Sequence, residues 1–491
     1  MTTRRTFLAS VLAGGLTGAS TVHAVPVGEP RKFDQVFDVV IVGAGGAGLS
    51  AAAHLAQQGF KVVVFEKTGV AGGSSLLCGG AWSVGGTQLQ KSKGIEDNDE
   101  KFFTDMMKTG ADMNDPQLVK TFIAYSKKEY EWAVGHGVKC ATVGIASGMS
   151  VPRAHRFNPA EVIAFYLKHA TDNGADIRYE AAVERLLWDA DKERISGVRV
   201  RTAGGTTAVG ARLGVLLANG GFSRNPALLG KYAPPMRYAA VIAGAGTQGD
   251  GMLMAQAYGA DILDTNYVKA SYGFKLNPTT IKDMTTIYYA GAIMVNKAAK
   301  RFVNESLSYK LLGDEALSQP EHASFLVFDN AVRKSQMNQR PIDKAMWACI
   351  DEGAEPDFAF VGKTLEEAAS KAGLDPKTLA ATVRDYNALA PAGKDPLGRT
   401  SLSSGFGKPV ALTESPFVVM PATAAMIGTY CGLKINARLH VIDVFGDPIK
   451  GLYAAGEVVG GVHGAAYMTG TAFGKALAFG RLASEVIPVD A

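Results

Sequence analysis

Hydrophobic positions in this chain fall into short unbroken runs more often than into strict alternation. Stretches with helical spacing separate the runs. Residues 36–42 are almost wholly apolar and rich in Val and Ile, the pattern of a parallel strand buried on both faces. After a glycine-rich turn, residues 49–58 are rich in Ala and Leu, which predicts a helix that Gly59 ends. Residues 61–65 give a second strand, closed by Glu66. Residues 98–135 and 158–173 read as helical, 176–189 and 197–200 as short strands of a meander. Residues 213–218 form another buried strand, ending in Asn219-Gly220-Gly221. From 235 to 390 short strands alternate with helical stretches such as 365–372 and 376–389. Residues 391–405, rich in Pro, Gly and Ser, read as a return linker. A strand at 451–455, a glycine-rich turn and a closing helix at 471–486 finish an α/β pattern.

The N-terminus departs from this pattern. Residues 3–9 read Thr-Arg-Arg-Thr-Phe-Leu-Ala, followed by a weakly hydrophobic run and Val22-His23-Ala24. A basic start, an apolar stretch and a small-x-small end predict a signal peptide over residues 1–24, and the paired Arg4 and Arg5 make it look like a twin-arginine signal. Residues 25–35 are then a linker. The expected location is the periplasm, reached by a route that carries folded, cofactor-loaded proteins. No other segment has about 18 uninterrupted apolar residues, so no transmembrane segment is expected once the signal is removed.

Composition narrows the chemistry. A formal charge of +4 in 491 residues, with no basic block, gives no case for nucleic-acid binding. Four cysteines lie far apart without Cys-x-x-Cys spacing, so no metal centre, iron–sulfur cluster or covalent haem is expected. The 57 glycines stand well above the usual share of about 7%. Many sit beside apolar runs, where backbone must approach a ligand closely.

One such place is Gly43-Ala44-Gly45-Gly46-Ala47-Gly48, a G-x-G-x-x-G between a strand and a helix, with Glu66 18 residues beyond Gly48. The first glycine permits the tight turn, the second admits a pyrophosphate, and the third lets the helix pack on the strand. The helix N-terminus turns its N–H groups and positive dipole end towards the phosphates. Glu66 can accept hydrogen bonds from a ribose. The order of elements predicts dinucleotide binding.

Three further segments point to a long flavin cofactor. Ala71-Gly72-Gly73-Ser74-Ser75 follows Glu66 closely, Gly79-Gly80 comes soon after, and Gly451-Leu452-Tyr453-Ala454-Ala455-Gly456-Glu457 ends a distant strand with an acid. With these, Ala218-Asn219-Gly220-Gly221-Phe222, Gly249-Asp250-Gly251, Gly291-Ala292-Ile293-Met294-Val295-Asn296 and Arg301-Phe302-Val303-Asn304-Glu305, the chain resembles the fumarate reductase–like flavoprotein family. That family includes soluble fumarate reductases, urocanate reductase and 3-ketosteroid Δ1-dehydrogenases. The resemblance implies FAD in a Rossmann-type domain (residues 36–234 and 396–491) with an inserted α+β capping domain (235–395) over the flavin. It implies FAD contacts from Gly43, Ala44, Gly45, Gly48, Glu66, Lys67, Gly73, Ser74, Ser75, Gly79, Gly80, Val183, Asn219, Gly220, Asp250, Glu457, Thr471 and Ala472.

The substrate positions depart from fumarate reduction. Family members acting on that dianion surround it with arginines and histidines, because fixed positive charge suits two carboxylates. Matched motif by motif, the proton-donating Arg position eight residues after Arg301 is Tyr309, and the clamping Arg position in Gly464-Ala465-Ala466-Tyr467 is Tyr467. A Glu-x-x-Arg pair falls on Thr285 and Tyr288, and a carboxylate-binding His on Gly428, with Tyr430 two residues on. Tyrosine is a neutral donor that suits a ketone or enone oxygen. The pattern resembles ketosteroid dehydrogenases, which implies that Tyr309 moves the α-proton while Tyr467 and the Gly470 N–H hold the carbonyl oxygen. Tyr125 and Tyr130 are the candidates for a third tyrosine, and Lys310 is a rival to Tyr309. Arg301 reads as structural, binding backbone; Arg153, His155 and Arg156 read as a solvated polar loop, with a substrate-entry role as the alternative; Cys78 reads as a packing residue.

The expectation is therefore an exported FAD oxidoreductase acting on a CH–CH bond next to a carbonyl. Its reaction is expected to be reduction of a small α,β-unsaturated carbonyl or carboxylate compound, with hydride from flavin N5 and a proton from tyrosine. Dehydrogenation of a ketosteroid or cyclic ketone is the alternative, and a non-catalytic FAD electron carrier a second. With one dinucleotide site and export away from NAD(P)H, electrons must come through an external redox partner, a cytochrome or a quinone-linked protein.

Overall fold

The computed structural model describes residues 32–403 and 405–490. The signal sequence expected at 1–24 lies outside the described residues.

Two sheets carry the architecture. The larger has eight strands. Gln35–Val42 runs at its centre, parallel to Val62–Phe65 on one side and to Gly205–Leu217 on the other. Pro448–Ala454 extends the parallel order beyond Gly205–Leu217, and Asp176–Arg178 extends it beyond Val62–Phe65. Val39, Val40 and Ile41 are wholly buried, because helix Gly46–Gln57 packs against the closing helix Thr471–Asp490 and against helix Pro159–Asp172 over this sheet. That is the burial an unbroken apolar run requires. The expected meander is split. Asp176–Arg178 joins the parallel edge, while Ala182–Asp189 and Arg194–Thr202 form an antiparallel ribbon with Gly205–Leu217.

The helical stretch 98–135 is two helices. Gly110 stops Asp99–Thr109, and Asp115-Pro116 starts Pro116–Gly135. Asp115 accepts from the N–H groups of Gln117 and Leu118, and Pro at the first position loses no intrahelical bond.

The second sheet has six strands around Phe417–Met426, which pairs with Ala240–Val241, Ser271–Lys275, Ser324–Phe328 and Phe360–Gly362. Ile293–Asn296 lies beyond Ser324–Phe328. Because the central strand follows residue 396, this sheet draws on the chain from 240 to 426, across the boundary expected at 395/396. The chain rejoins the larger sheet only at His440–Ile442. Pro, Gly and Ser at 391–405 mark a loop, but they do not say which sheet the next strand enters. No helix among the described residues is long and apolar enough to cross a membrane.

Candidate active site

A cavity of about 1100 Å³ is lined by segments of both sheets. At one end lies the glycine turn. A Cβ on Gly43 would sit 2.7 Å from the Asn219 Cα, and one on Gly48 2.0 Å from the Gly43 carbonyl oxygen; at Gly45 the nearest atom would be 3.9 Å away. The outer two glycines therefore close the turn, and the middle one faces open space. Helix Gly46–Gln57 begins there without a side-chain cap and without an acidic residue in its first turn, so its positive end is left for an anion.

The surrounding side chains are held in place. Glu66 accepts from the Ala44 N–H at 3.0 Å, the Thr68 N–H at 2.9 Å and the Thr68 hydroxyl at 2.8 Å. The Ser75 hydroxyl accepts from the Gly46 N–H at 3.2 Å, and that of Ser74 from the Gly244 N–H at 3.0 Å. Lys67 and Asp250 pair at 2.5 Å. Glu457 accepts from the Thr429 N–H at 2.9 Å, and burial raises its pKa. Asn219 lines the cavity with both amide atoms buried and unpartnered, a donor and an acceptor awaiting a polar group. An open glycine, an uncapped helix end, that orphaned amide and a cavity of this volume together fit FAD.

Gly43, Gly45, Glu66, Lys67, Gly73, Ser74, Ser75, Gly79, Val183, Asn219, Gly220, Asp250, Glu457 and Ala472 all line the cavity. Ala44, Gly48, Gly80 and Thr471 do not. Ala44 is wholly buried, with its N–H on Glu66. Gly80 (φ +67°) lies against the Phe157 carbonyl, which an added Cβ would meet at 2.0 Å. The Thr471 hydroxyl is turned to the Met468 carbonyl at 2.7 Å.

The other end is lined by Tyr289, Tyr309, Tyr430, Tyr467, Thr469, His463, Arg156 and Arg340. The Tyr309 and Thr469 hydroxyls share a hydrogen bond of 3.1 Å. Tyr430 and Tyr467 stack with centroids 4.8 Å apart and planes inclined by 17°, and His463 meets both edge-on at 5.5 and 5.6 Å. Burial raises the pKa of all three tyrosines, so each is a neutral donor near neutral pH. Arg156, half-buried on strand Ala154–Arg156, has no hydrogen bond or ion pair on its side chain among the described residues. Burial lowers its pKa, and the neighbouring Arg340 adds to this, partly offset by Tyr467. Arg340 itself donates to the Met284 carbonyl at 2.8 Å and pairs with Asp343 at 3.2 Å.

Several expectations are corrected here. Tyr288 is wholly buried, donates to the Tyr272 carbonyl at 3.1 Å and does not line the cavity. In the short turn Ile287–Ala290 its neighbour Tyr289 points there instead. Thr285 is buried on Asp343 at 2.8 Å. The Gly470 N–H is already donated to the Tyr467 hydroxyl at 2.8 Å, which removes it as a free donor for a carbonyl oxygen. Tyr125 bonds Glu485 at 2.9 Å and Tyr130 packs on Trp82, and neither lines the cavity, whereas Tyr430 does. Arg153 and His155 are wholly buried rather than solvated. Arg153 is clamped by Asp97 and Asp105 at 2.7 and 2.5 Å, and this fixes the strand that presents Arg156. Arg301 is structural, but its partners are Glu305 and Asp395, each at 2.6 Å, not backbone. Cys78 lines the cavity with its thiol pushed up to about 11 by burial, in keeping with a neutral packing residue.

Among the lining residues that carried no site assignment from sequence are Tyr289, His463 and Lys475. Lys475, on the same face of the closing helix as Ala472, donates to the Val459 carbonyl at 3.1 Å, and burial lowers its pKa to about 8. The signal that could have found it is a lone lysine among Ala, Phe, Leu and Gly on a buried helix.

Comparison with known proteins agrees with this geometry. Residues 38–472 match the model of the FAD binding domain family. The chain is 35% identical over 460 residues to the fumarate reductase (cytochrome) of Shewanella frigidimarina, covering 91% of this chain and 76% of the relative. The open conformation of a flavocytochrome c3 fumarate reductase superposes with a TM-score of 0.79 at 30% identity, over 93% of this chain and 79% of that one. The 3-ketosteroid-Δ4-(5α)-dehydrogenase of Rhodococcus jostii RHA1 superposes with a TM-score of 0.72 at 27% identity, over 93% and 98%. With a nucleotide cradle and a hydroxyl-lined pocket in one cavity, the chain belongs to the FAD-binding, fumarate reductase–like family of oxidoreductases acting on CH–CH groups.

Proposed function

We propose that this protein reduces the C=C bond of a small α,β-unsaturated carboxylate or carbonyl compound, with a monocarboxylate as the best match. The observation that carries this reading is Arg156, an unpaired guanidinium in the wall that Tyr309 and Tyr467 share. A half-buried cation without an acid is stabilised by an anionic ligand. Fumarate would need a second free cation for its second carboxylate, and Arg340 is already bonded to the Met284 carbonyl and Asp343.

Gly45, the start of helix Gly46–Gln57, Asn219 and Glu457 would hold FAD. Bound FAD supplies the hydride. The chain's own residues do the rest. Arg156 holds the carboxylate and stabilises the negative charge that grows on it during reduction. Tyr467 and Tyr430 close the pocket with uncharged faces and exclude water. The Tyr309 hydroxyl, oriented by Thr469, gives its proton to the α-carbon.

The three tyrosines favour a second reading, a ketosteroid or cyclic-ketone dehydrogenase, in which a neutral ketone sits among neutral donors. Arg156 weighs against it. We further propose that the protein is exported by the twin-arginine route to the periplasm, on the strength of residues 3–24, and draws electrons from an external cytochrome or quinone-linked protein. Anaerobic reduction of the purified flavoprotein, followed by a reoxidation screen, tests the reading. Unsaturated monocarboxylates should reoxidise it, with enones slower and fumarate slowest. Rapid reoxidation by fumarate, or electron uptake from ketosteroids alone, would overturn it.

A further inference from the structure

A cation stands behind the tyrosine cluster. Lys310 follows Tyr309 on helix Tyr309–Ser318, is 3% exposed and does not line the cavity. Its Nζ lies 4.8 Å from the ring centroid of Tyr430, 5.9 Å from that of Tyr309 and 6.0 Å from that of Tyr467. Among the described residues its hydrogen bond is to the Lys269 carbonyl at 3.2 Å, and no carboxylate lies within ion-pair reach of it. Asp314, one turn along the same helix, is taken by the Lys269 ammonium in a short ion pair. On the side of the closing glycine turn, His463 faces the same rings with its Nε2 unpartnered, and burial, Lys475 and Lys310 all oppose its protonation. From the cavity side Arg156 acts on Tyr467 and Tyr309.

A buried ammonium with one carbonyl and three aromatic faces for company is poorly compensated. Its charge is felt most by whatever negative charge forms nearby, and the groups nearby are phenols. We propose that Lys310 is a positioning residue for the tyrosine cluster: its ammonium, packed behind Tyr309, Tyr430 and Tyr467, stabilises the phenolate left when Tyr309 gives up its proton.

The step balances. The Tyr309 O–H bond breaks, a C–H bond forms on the substrate, the hydride comes from bound FAD, and solvent later restores the phenol. Lys310 transfers nothing and supplies charge alone. Burial holds its pKa down to about 7, so that charge is present below neutrality and lost above it. The inference rests on the reading of Tyr309 as proton donor. The phenol titration described next needs no substrate, so the two fail separately.

The test uses the holoenzyme and its Lys310→Met and Lys310→Arg variants. The turnover rate is followed against pH, and phenolate absorbance is titrated without substrate. The wild type should lose rate as pH rises through about 7. Lys310→Arg, whose guanidinium stays charged, should carry its plateau at least about two pH units higher. Lys310→Met should show a flat profile about tenfold or more slower, while Lys310→Arg, still charged where phenols titrate, should show its first phenolate about 1–3 pH units earlier than the wild type or Lys310→Met. An unchanged limb near pH 7 in both variants, or coincident phenolate titrations, overturns the proposal. Flavin content and melting temperature show whether Lys310→Met folds; if it does not, the Lys310→Arg profile decides. Loss of the phenolate shift would sink the Lys310 role even if Tyr309→Phe is inactive. A normal Tyr309→Phe with the shift intact would sink the donor role and leave the electrostatic one.

Discussion

The two ends of the cavity are built from different material. The nucleotide end is backbone: a glycine turn, a helix start, and side chains such as Glu66, Ser74 and Ser75 that bind neighbouring N–H groups. The tyrosine end is side chains, with Arg156, Tyr309 and Tyr467 arriving from three distant parts of the chain. At the first end tolerance is set by space, since a single Cβ at Gly48 would stand 2.0 Å from a carbonyl oxygen. At the second it is set by charge and proton affinity, since the walls have room but few fixed charges. A change at one end should therefore leave the other end's readout nearly untouched.

Tyr309→Phe should show the largest effect, a fall in turnover of roughly 10²–10⁴-fold, with flavin content unchanged. Stopped-flow reoxidation of the reduced enzyme measures it, and a near-normal rate would move the donor role away from this residue. Gly48→Ala should do the reverse. Overpacking of about 1–3 kcal/mol corresponds to roughly tenfold to hundredfold weaker FAD binding, read from the flavin-to-protein absorbance ratio and from titration of added FAD. Full flavin retention would break the comparison at its simpler end. For Arg156→Met we expect KM for an unsaturated monocarboxylate to rise about 10–100-fold, as for a lost charge-assisted hydrogen bond. A neutral enone should be affected severalfold less; equal losses on both would remove the carboxylate assignment. Smallest is Tyr288→Phe, which gives up one buried hydrogen bond to the Tyr272 carbonyl. It should cost about 1 kcal/mol in thermal unfolding and leave turnover within about threefold. A large kinetic loss there would restore Tyr288 to the site.

What could be read in advance follows the same division. Residues 36–66 give strand, turn, helix, strand and acid in contiguous order, and each part appears where its pattern places it. Tyr309, Tyr430 and Tyr467 were legible through motif spacing. Tyr288 was misplaced because its neighbour is also a tyrosine, and in a four-residue turn one position decides which ring meets the core and which the cavity. Arg156 was read first as part of a solvated loop for another reason. The Arg-Ala-His-Arg stretch looks solvated until Asp97 and Asp105, from a distant segment, neutralise Arg153 and let the strand be buried. The sheet membership of Phe417–Met426 was equally out of reach, because an apolar run reports burial and not its partner strands.

By itself the sequence determined the α/β alternation, the dinucleotide turn and the family, since each depends on contacts between residues close along the chain or on motifs kept in order. Only the tertiary structure decided which of the glycines touch the cavity, that the Gly470 N–H is already bonded, and that an unpaired arginine and a buried lysine stand on either side of the tyrosines. Charge pairing and ring orientation are settled by what lies across the fold, and that information appears once distant segments have packed.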